Sequence, residues 1–312
     1  MVLPEGHNET IIRAAVQMVE EGVCAPILLG RRERVLAKAE AMGGLDLAGI
    51  EIVYAAELDE ERHAFAQRFF ERRNRKGLTL AEAGWNMYKP IYFACGMVEA
   101  GRADAVLAGV EANYPEILRP ALQVVGAGGP AARVAGLHMI AHPRRELLFF
   151  ADTTVNIEPS AETLAEIALM SARFVERLGI TPRIAMVSFS NFGSARHPQS
   201  ERVSEAVRRV REAEPGLEID GEMQADTAVD AVKLAATYPF SNLTGAANVL
   251  VFGNLSAANA AYKLLDRIGN AEVIGPILLG MDRPVHILQR GSTVQEVINL
   301  ATVASVDVQA RS

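Results

Sequence analysis

The 312-residue sequence has only two cysteines, one tryptophan and 6% aromatic residues. Two thiols, Cys24 and Cys95, are too few for a disulfide framework or a zinc cluster, and such sparse use suits a reducing cytoplasm. No apolar run approaches the ~18 residues of a membrane span, which argues against an integral membrane protein. The opening MVLPEGHNET lacks the basic region and apolar stretch of a signal peptide. It enters what reads as a strand within three residues, as a piece trimmed from something longer would. An excess of cations is missing too: 31 Lys and Arg stand against 38 Asp and Glu, a net charge of −7. A nucleic-acid or membrane-surface partner would require a basic face, so neither is expected. What remains is 50% hydrophobic and 22% charged, the balance of a soluble globular chain, with length for about two domains at ~150 residues each.

Short β-like runs alternate with amphipathic helices from end to end. Asn8 is placed to cap a helix whose Ile11, Ala15 and Val19 share a face. APILLG (25–30), IEIVYA, LLFFAD, IAMVSF, ANVLVF and AEVIGPILLG read as strands, as does Ala105 to Ala108. Helices are expected over Arg31 to Met42, Asp59 to Arg73, from about Lys89 to a stop at Gly101, from a Ser160 cap to about Leu178, and from Ala257 to Ile268. Such alternation specifies an α/β fold, a parallel or mixed sheet with helices on both faces. The Gly-rich Gly126 to Arg133 is the best domain boundary. GPILLG (275–280) echoes APILLG; either two buried strands coincide or the C-terminal segment returns to the first domain.

In open α/β sheets, ligands bind beyond the carboxyl ends of strands. VSFSNFGSARHPQSERV is the strongest candidate: a strand runs into Ser188, Ser190, Asn191, Gly193 and Ser194, and a helix follows Pro198. Small hydroxyl residues and a glycine let backbone N–H groups face an anion or carbonyl oxygen, although a serine-rich turn without ligand has the same composition. ERRNRKG (71–77) either caps a helix terminus with cations or contacts the phosphates of a ligand such as coenzyme A. Arg119, at an apolar helix start in ILRPALQVV, needs an anionic partner, as does Arg290 in the LQRGST turn. His138 and His142 are spaced like a metal pair, but on a strand pattern with no third ligand, so no metal site is expected. His7, His63 and His197 read as surface or capping residues, and Cys24 and Cys95 as small core residues.

Taken in order, LPEGHNETIIRAA, ERRNRKGLT, LRPALQVVG, MVSFSNFGSA, DGEMQAD, ANVLVFGNLSAANAAYKLL, GPILLGMDRPVHIL and RGSTVQEVINL resemble the phosphate acetyltransferase (phosphotransacetylase) family over essentially the whole chain. The resemblance implies two α/β domains of the isocitrate-dehydrogenase-like kind, 1–130 with 277–312 and 131–276. It further implies an interdomain cleft that binds acetyl-CoA or CoA, and a homodimer or higher assembly. The family moves acetyl between coenzyme A and phosphate with an aspartate base, an assisting Ser-Arg pair and further arginines. By motif, the paired arginines fall on Arg73 and Arg119, the Ser-Arg pair on Gln289 and Arg290, and the base on Glu296. A loop lysine falls on Phe192, and another aspartate on Asn254.

Four of these positions thus depart from the family pattern. A lost cation removes charge stabilisation, and a displacement of ~1 Å can cost ~100-fold in rate. The wording SNFGS, DGEMQAD and GPILLGMDRPVHIL is most similar to the transacetylase-like domain at the C-terminus of bacterial NADP-dependent malic enzymes, in which NADP and a divalent metal belong to the fused portion. On this ground the expected function is an acetyl-CoA-binding, non-catalytic regulatory domain. The alternative is an active phosphate acyltransferase.

Overall fold

The computed structural model describes residues 1–128 and 133–311. It comprises two compact units, Met1–Ala132 with Met281–Ser312, and Arg133–Gly280. Of the expected boundary segment Gly126 to Arg133, positions 129–132 lie outside the described residues.

The first unit opens with β1 (Val2–Leu3), α1 (Glu9–Glu20), β2 (Ile27–Leu29), α2 (Arg32–Ala41) and β3 (Glu51–Val53). It continues with α3 (Asp59–Arg73), α4 (Leu80–Asn86), α5 (Pro90–Glu99), β4 (Val106–Ala108) and α6 (Tyr114–Pro120). The second unit holds β5 (Ala135–Ala141), β6 (Leu148–Ala151), α7 (Ala161–Arg177), β7 (Ile184–Val187), α8 (Pro198–Ala213) and β8 (Ile219–Met223). It ends with α9 (Ala225–Ala228), α10 (Ala231–Thr237), β9 (Val249–Phe252), α11 (Leu255–Ile268) and β10 (Glu272–Leu279). The chain then returns to the first unit with β11 (Val285–Ile287) and α12 (Val294–Arg311).

In the first unit the sheet order is β11-β4-β1-β2-β3, and every pairing is parallel. A parallel sheet is covered on both faces, so its strands must be apolar throughout rather than alternating. Val2, Leu3, Leu28, Val106, Leu107, Val285 and Ile287 are accordingly buried. Helix α1 buries Ile11, Ile12, Ala14, Ala15 and Met18. Its start is set by Asn8, whose Oδ1 accepts from Thr10 N at 2.9 Å and Ile11 N at 3.3 Å, a cap worth ~1 kcal/mol.

The second unit has a mixed sheet, β10-β5-β6-β9-β7-β8. Strands β6, β9, β7 and β8 run parallel, while β5 is antiparallel to both of its neighbours. The fold is therefore α/β with one parallel and one mixed sheet. Helix α7 begins at Ser160, whose Oγ accepts from Thr163 N at 3.1 Å. Among the described residues no helix is long and apolar enough to cross a membrane.

Two details differ from the sequence expectations. Arg119 stands in the last turn of α6, not at a helix start; the chain continues from Pro120 into a π-helical turn, Ala121–Val125. Capping-box pairing at Asn113 and Glu116 had already begun the helix upstream. The GPILL strand pairs with β5 in the second sheet, so the return to the first unit falls at Met281 and not at 277. Its echo of APILLG reflects two buried strands, β2 and β10, in different sheets.

Candidate functional site

Strand β1 is followed on one side by β2 and β3, whereas β4 and then β11 are added on its other side. The order reverses between β1 and β4, so the loops leaving their carboxyl ends diverge and open a crevice. Glu5, just past β1, holds that crevice open from below. Its Oε2 accepts from the backbone N–H groups of Gly109 and Val110 at 2.8 and 3.0 Å, and its Oε1 from those of Glu111 and Ala112 at 2.8 and 3.3 Å. A carboxylate bound by four amides fixes the loop after β4 against the loop after β1. The loop after β11 joins them: Leu288 N donates to Ala108 O at 2.7 Å and Gly291 N to Val110 O at 3.0 Å. Gly109 is required there, because φ is +125° and a Cβ would lie 2.6 Å from Leu288 O.

Above this floor lies a cavity of about 660 Å³, lined among others by His7, Lys89, Tyr92, Glu111 and Arg119. His7 Nε2 lies 3.2 Å from Glu111 Oε2. Tyr92 donates its hydroxyl to Gln123 Oε1 at 2.7 Å. Burial raises the Tyr92 pKa, and the charges of Arg119 and Arg73 oppose that rise. The two arginines singled out from sequence therefore act on one phenol. Arg73 is half-buried at the end of α3, beside a 3₁₀ turn that carries Arg75 and Lys76 and stops at Gly77, φ +88°. Its neighbour Arg72 is spent on structure, reaching Val125 O, Glu99 and Asp282. Arg119 and Arg290 are exposed. Among the described residues, none of Arg73, Arg119 and Arg290 has an internal hydrogen bond or ion pair.

Glu296, at the position of the family base, is engaged locally. Its Oε2 accepts from Thr293 N at 2.7 Å and Thr293 Oγ1 at 3.1 Å, while Thr293 Oγ1 accepts from Glu296 N at 3.3 Å. That reciprocal pairing is the capping box of α12. Gln289 is exposed, and its carbonyl accepts from both Ser292 N and Ser292 Oγ.

In the second unit the loop after β7 behaves differently from the expected anion cradle. The buried Glu222 supplies the anion itself: its Oε1 accepts from Ser190 Oγ at 2.8 Å and Gly193 N at 2.7 Å. Asn191 Oδ1 accepts from Gln224 N at 2.8 Å, and Ser194 Oγ from Asn191 N at 2.9 Å. Phe192, φ +48°, packs against Tyr238 and Phe240 with ring centroids 4.9 and 5.0 Å away. Ser188 donates its N–H to Met223 O and is half-buried. Asn254 caps α11, its Oδ1 accepting from Ala257 N at 2.9 Å. An asparagine serves that role as well as an aspartate, and it starts the helix at Leu255, two residues before the expected Ala257.

The remaining candidates resolve into packing. His138 is fully buried, with Nδ1 2.8 Å from Thr153 Oγ1 and its ring stacked on Tyr262 at 4.0 Å. Burial lowers its pKa to about 3. His197 caps α8, accepting from Gln199 N. Cys95 is buried, its thiol pushed up to about 12, and Cys24 is half-buried and raised by the same cause. Among the described residues no group of three His, Cys, Asp or Glu could hold a metal. Sequence reasoning passed over Glu5, Glu111 and Glu222. For Glu5 the available signal was a carboxylate in the turn directly after a strand; for Glu222 it was the DGEM segment.

The crevice thus lies at the switch point of a parallel sheet, where open α/β sheets hold their ligands. The family model "Phosphate acetyl/butaryl transferase" matches residues 1–305, and the chain belongs to that family. It is 36% identical to a phosphate acetyltransferase of Thermoanaerobacterium thermosaccharolyticum over 315 residues, 99% of this chain and 95% of the relative. The EutD phosphotransacetylase from Staphylococcus aureus superimposes with a TM-score of 0.90 at 34% identity, covering 98% of this chain and 93% of that one. An NADP-dependent malic enzyme of Escherichia coli K12 is 35% identical over 99% of this chain, but the match spans only 41% of that enzyme.

Proposed function

We propose that the protein is an active phosphate acetyltransferase, which moves an acetyl group between coenzyme A and inorganic phosphate. The observation that carries this is the set of three arginines, Arg73, Arg119 and Arg290, which have no internal hydrogen bond or ion pair among the described residues, with Arg119 lining the cavity. In this reading they bind the anionic substrates, acetyl phosphate, phosphate and the phosphates of CoA. In the serine loop Ser188 is the hydroxyl left for a ligand, since Ser190 and Gly193 are committed to Glu222, Asn191 to Gln224 and Ser194 to the Asn191 amide.

This reverses the sequence expectation of a non-catalytic malic-enzyme domain. Relatives matched along nearly their whole length bear the name phosphate acetyltransferase, whereas the malic enzyme is matched over less than half of its own. The departures behind that expectation also carry less weight in the structure. Asn254 keeps the cap, and Phe192 is packed in an aromatic cluster. No NADP or metal is required by the reaction.

The test is thioester formation from acetyl phosphate and CoA by the purified protein. Phosphate-dependent turnover supports the reading. Binding of acetyl-CoA without turnover restores the regulatory one. A homodimer, which the family resemblance implies, accompanies this proposal, and sedimentation at micromolar concentration measures it.

A further inference from the structure

We infer that His7, oriented by Glu111, is the proton acceptor for the coenzyme A thiol in this chain; the inference rests on the transacetylase reading above. The family position for the base carries Glu296, and its carboxylate is held in the α12 capping box. His7 instead lines the cavity together with Arg119. Its orientation is built through a relay. Asn8 Oδ1 is fixed by the first amides of α1, and Asn8 Nδ2 donates to Glu111 Oε1 at 2.8 Å. The other oxygen of Glu111 faces His7 Nε2 at 3.2 Å. Glu111 thus stands on the Nε2 side of the ring, and among the described residues Nδ1 has no hydrogen-bond partner. The Glu111 carboxylate also supplies the counter-charge for the imidazolium that forms when Nδ1 takes a proton.

The step balances without a further reactant. Nδ1 of His7 takes the S–H proton, and the thiolate sulfur attacks the carbonyl carbon of acetyl phosphate. The carbon–oxygen bond to phosphate breaks, phosphate leaves with the electron pair, and the imidazolium returns its proton to phosphate or solvent. The charged groups around the cavity bear on His7 from several elements: Glu5 from its own loop, Glu111 after β4, Lys89 before α5, and Glu116 and Arg119 on α6.

The assay is thioester formation across pH with the full-length protein and its H7Q, H7A and E111Q variants. H7Q is expected to lower kcat at least ~100-fold while KM for CoA and acetyl phosphate stays within about threefold. The acid limb of kcat/KM in the unmodified protein should disappear in H7Q. Added imidazole should restore part of the H7A rate, and E111Q should lower kcat less than H7Q. Desulfo-CoA, which has no thiol to ionise, should bind unmodified protein and H7Q equally; that equality reports an intact site. An H7Q enzyme with more than a third of the unmodified kcat, or with the acid limb unchanged, overturns the assignment alone. Absence of any thioester formation by the unmodified protein overturns the functional reading and the assignment with it.

Discussion

The carboxylate of Glu5 lies 2.8 Å from the backbone nitrogen of Gly109, although 104 residues separate them in the chain. This single side chain satisfies four amides that a strand end would otherwise leave unpaired. Replacing Glu5 by Ala should cost about 2–4 kcal/mol, since buried donors lose their acceptor. Urea denaturation measures it, and a loss below about 0.5 kcal/mol would contradict the role.

Arg119 and Arg290 make no hydrogen bond or ion pair among the described residues, so their removal should be felt in binding and not in folding. Substituting either by Ala should weaken acetyl-CoA binding by about 1.5–3 kcal/mol where a charge-assisted hydrogen bond is lost. Calorimetric titration gives the affinity. An unchanged melting temperature in the same variants confirms that the guanidinium groups serve a ligand.

At position 254 the side chain is a helix cap. N254D should leave stability within a few tenths of a kcal/mol, and N254A should lose ~1 kcal/mol. If N254D instead raised transacetylase activity tenfold without a change in stability, the residue would belong to the chemistry.

Two buried histidines make the fold acid-sensitive. Burial lowers the pKa of His138 to about 3 and that of His286 to about 4. Each lies below the ~6.5 of an unfolded histidine, so at intermediate pH the unfolded chain binds the extra proton. Stability is full above pH ~6.5 and is lost as pH falls towards about 4, at ~1.4 kcal/mol per pH unit for each ring. Urea midpoints at pH 7 and pH 5 test this. In H138F the slope should drop by about half in that window, whatever the change in absolute stability.

The elements were legible because their signals are local. Asn8 and Ser160 announce helix starts, Gly101 announces a stop, and α3 falls on Asp59 to Arg73 as its pattern indicated. Arg119 was misplaced because the capping pair Asn113 and Glu116 went unread, so the helix was begun a turn too late. The site was legible in residue types but less so in partners. Periodicity cannot show that Glu222 reaches Ser190 across 32 residues or that Glu5 reaches Gly109 across 104. Such pairings are set by which strands become neighbours. His7 was read as a surface residue, and it is exposed; what the sequence hid is that Glu111 stands beside it.

The return of the chain to the first sheet has a temporal consequence. The second unit is one continuous stretch, whereas the first lacks β11 and α12 until after the second unit has been made. During synthesis, β4 waits with an open edge while the whole second unit emerges and can pack on its own. The loop bearing Arg290 docks on Val110 only when β11 closes that edge. A nascent chain can therefore contain a folded second unit and still have no finished crevice, so a completed crevice is itself a report that synthesis has passed β11 and the loop bearing Arg290.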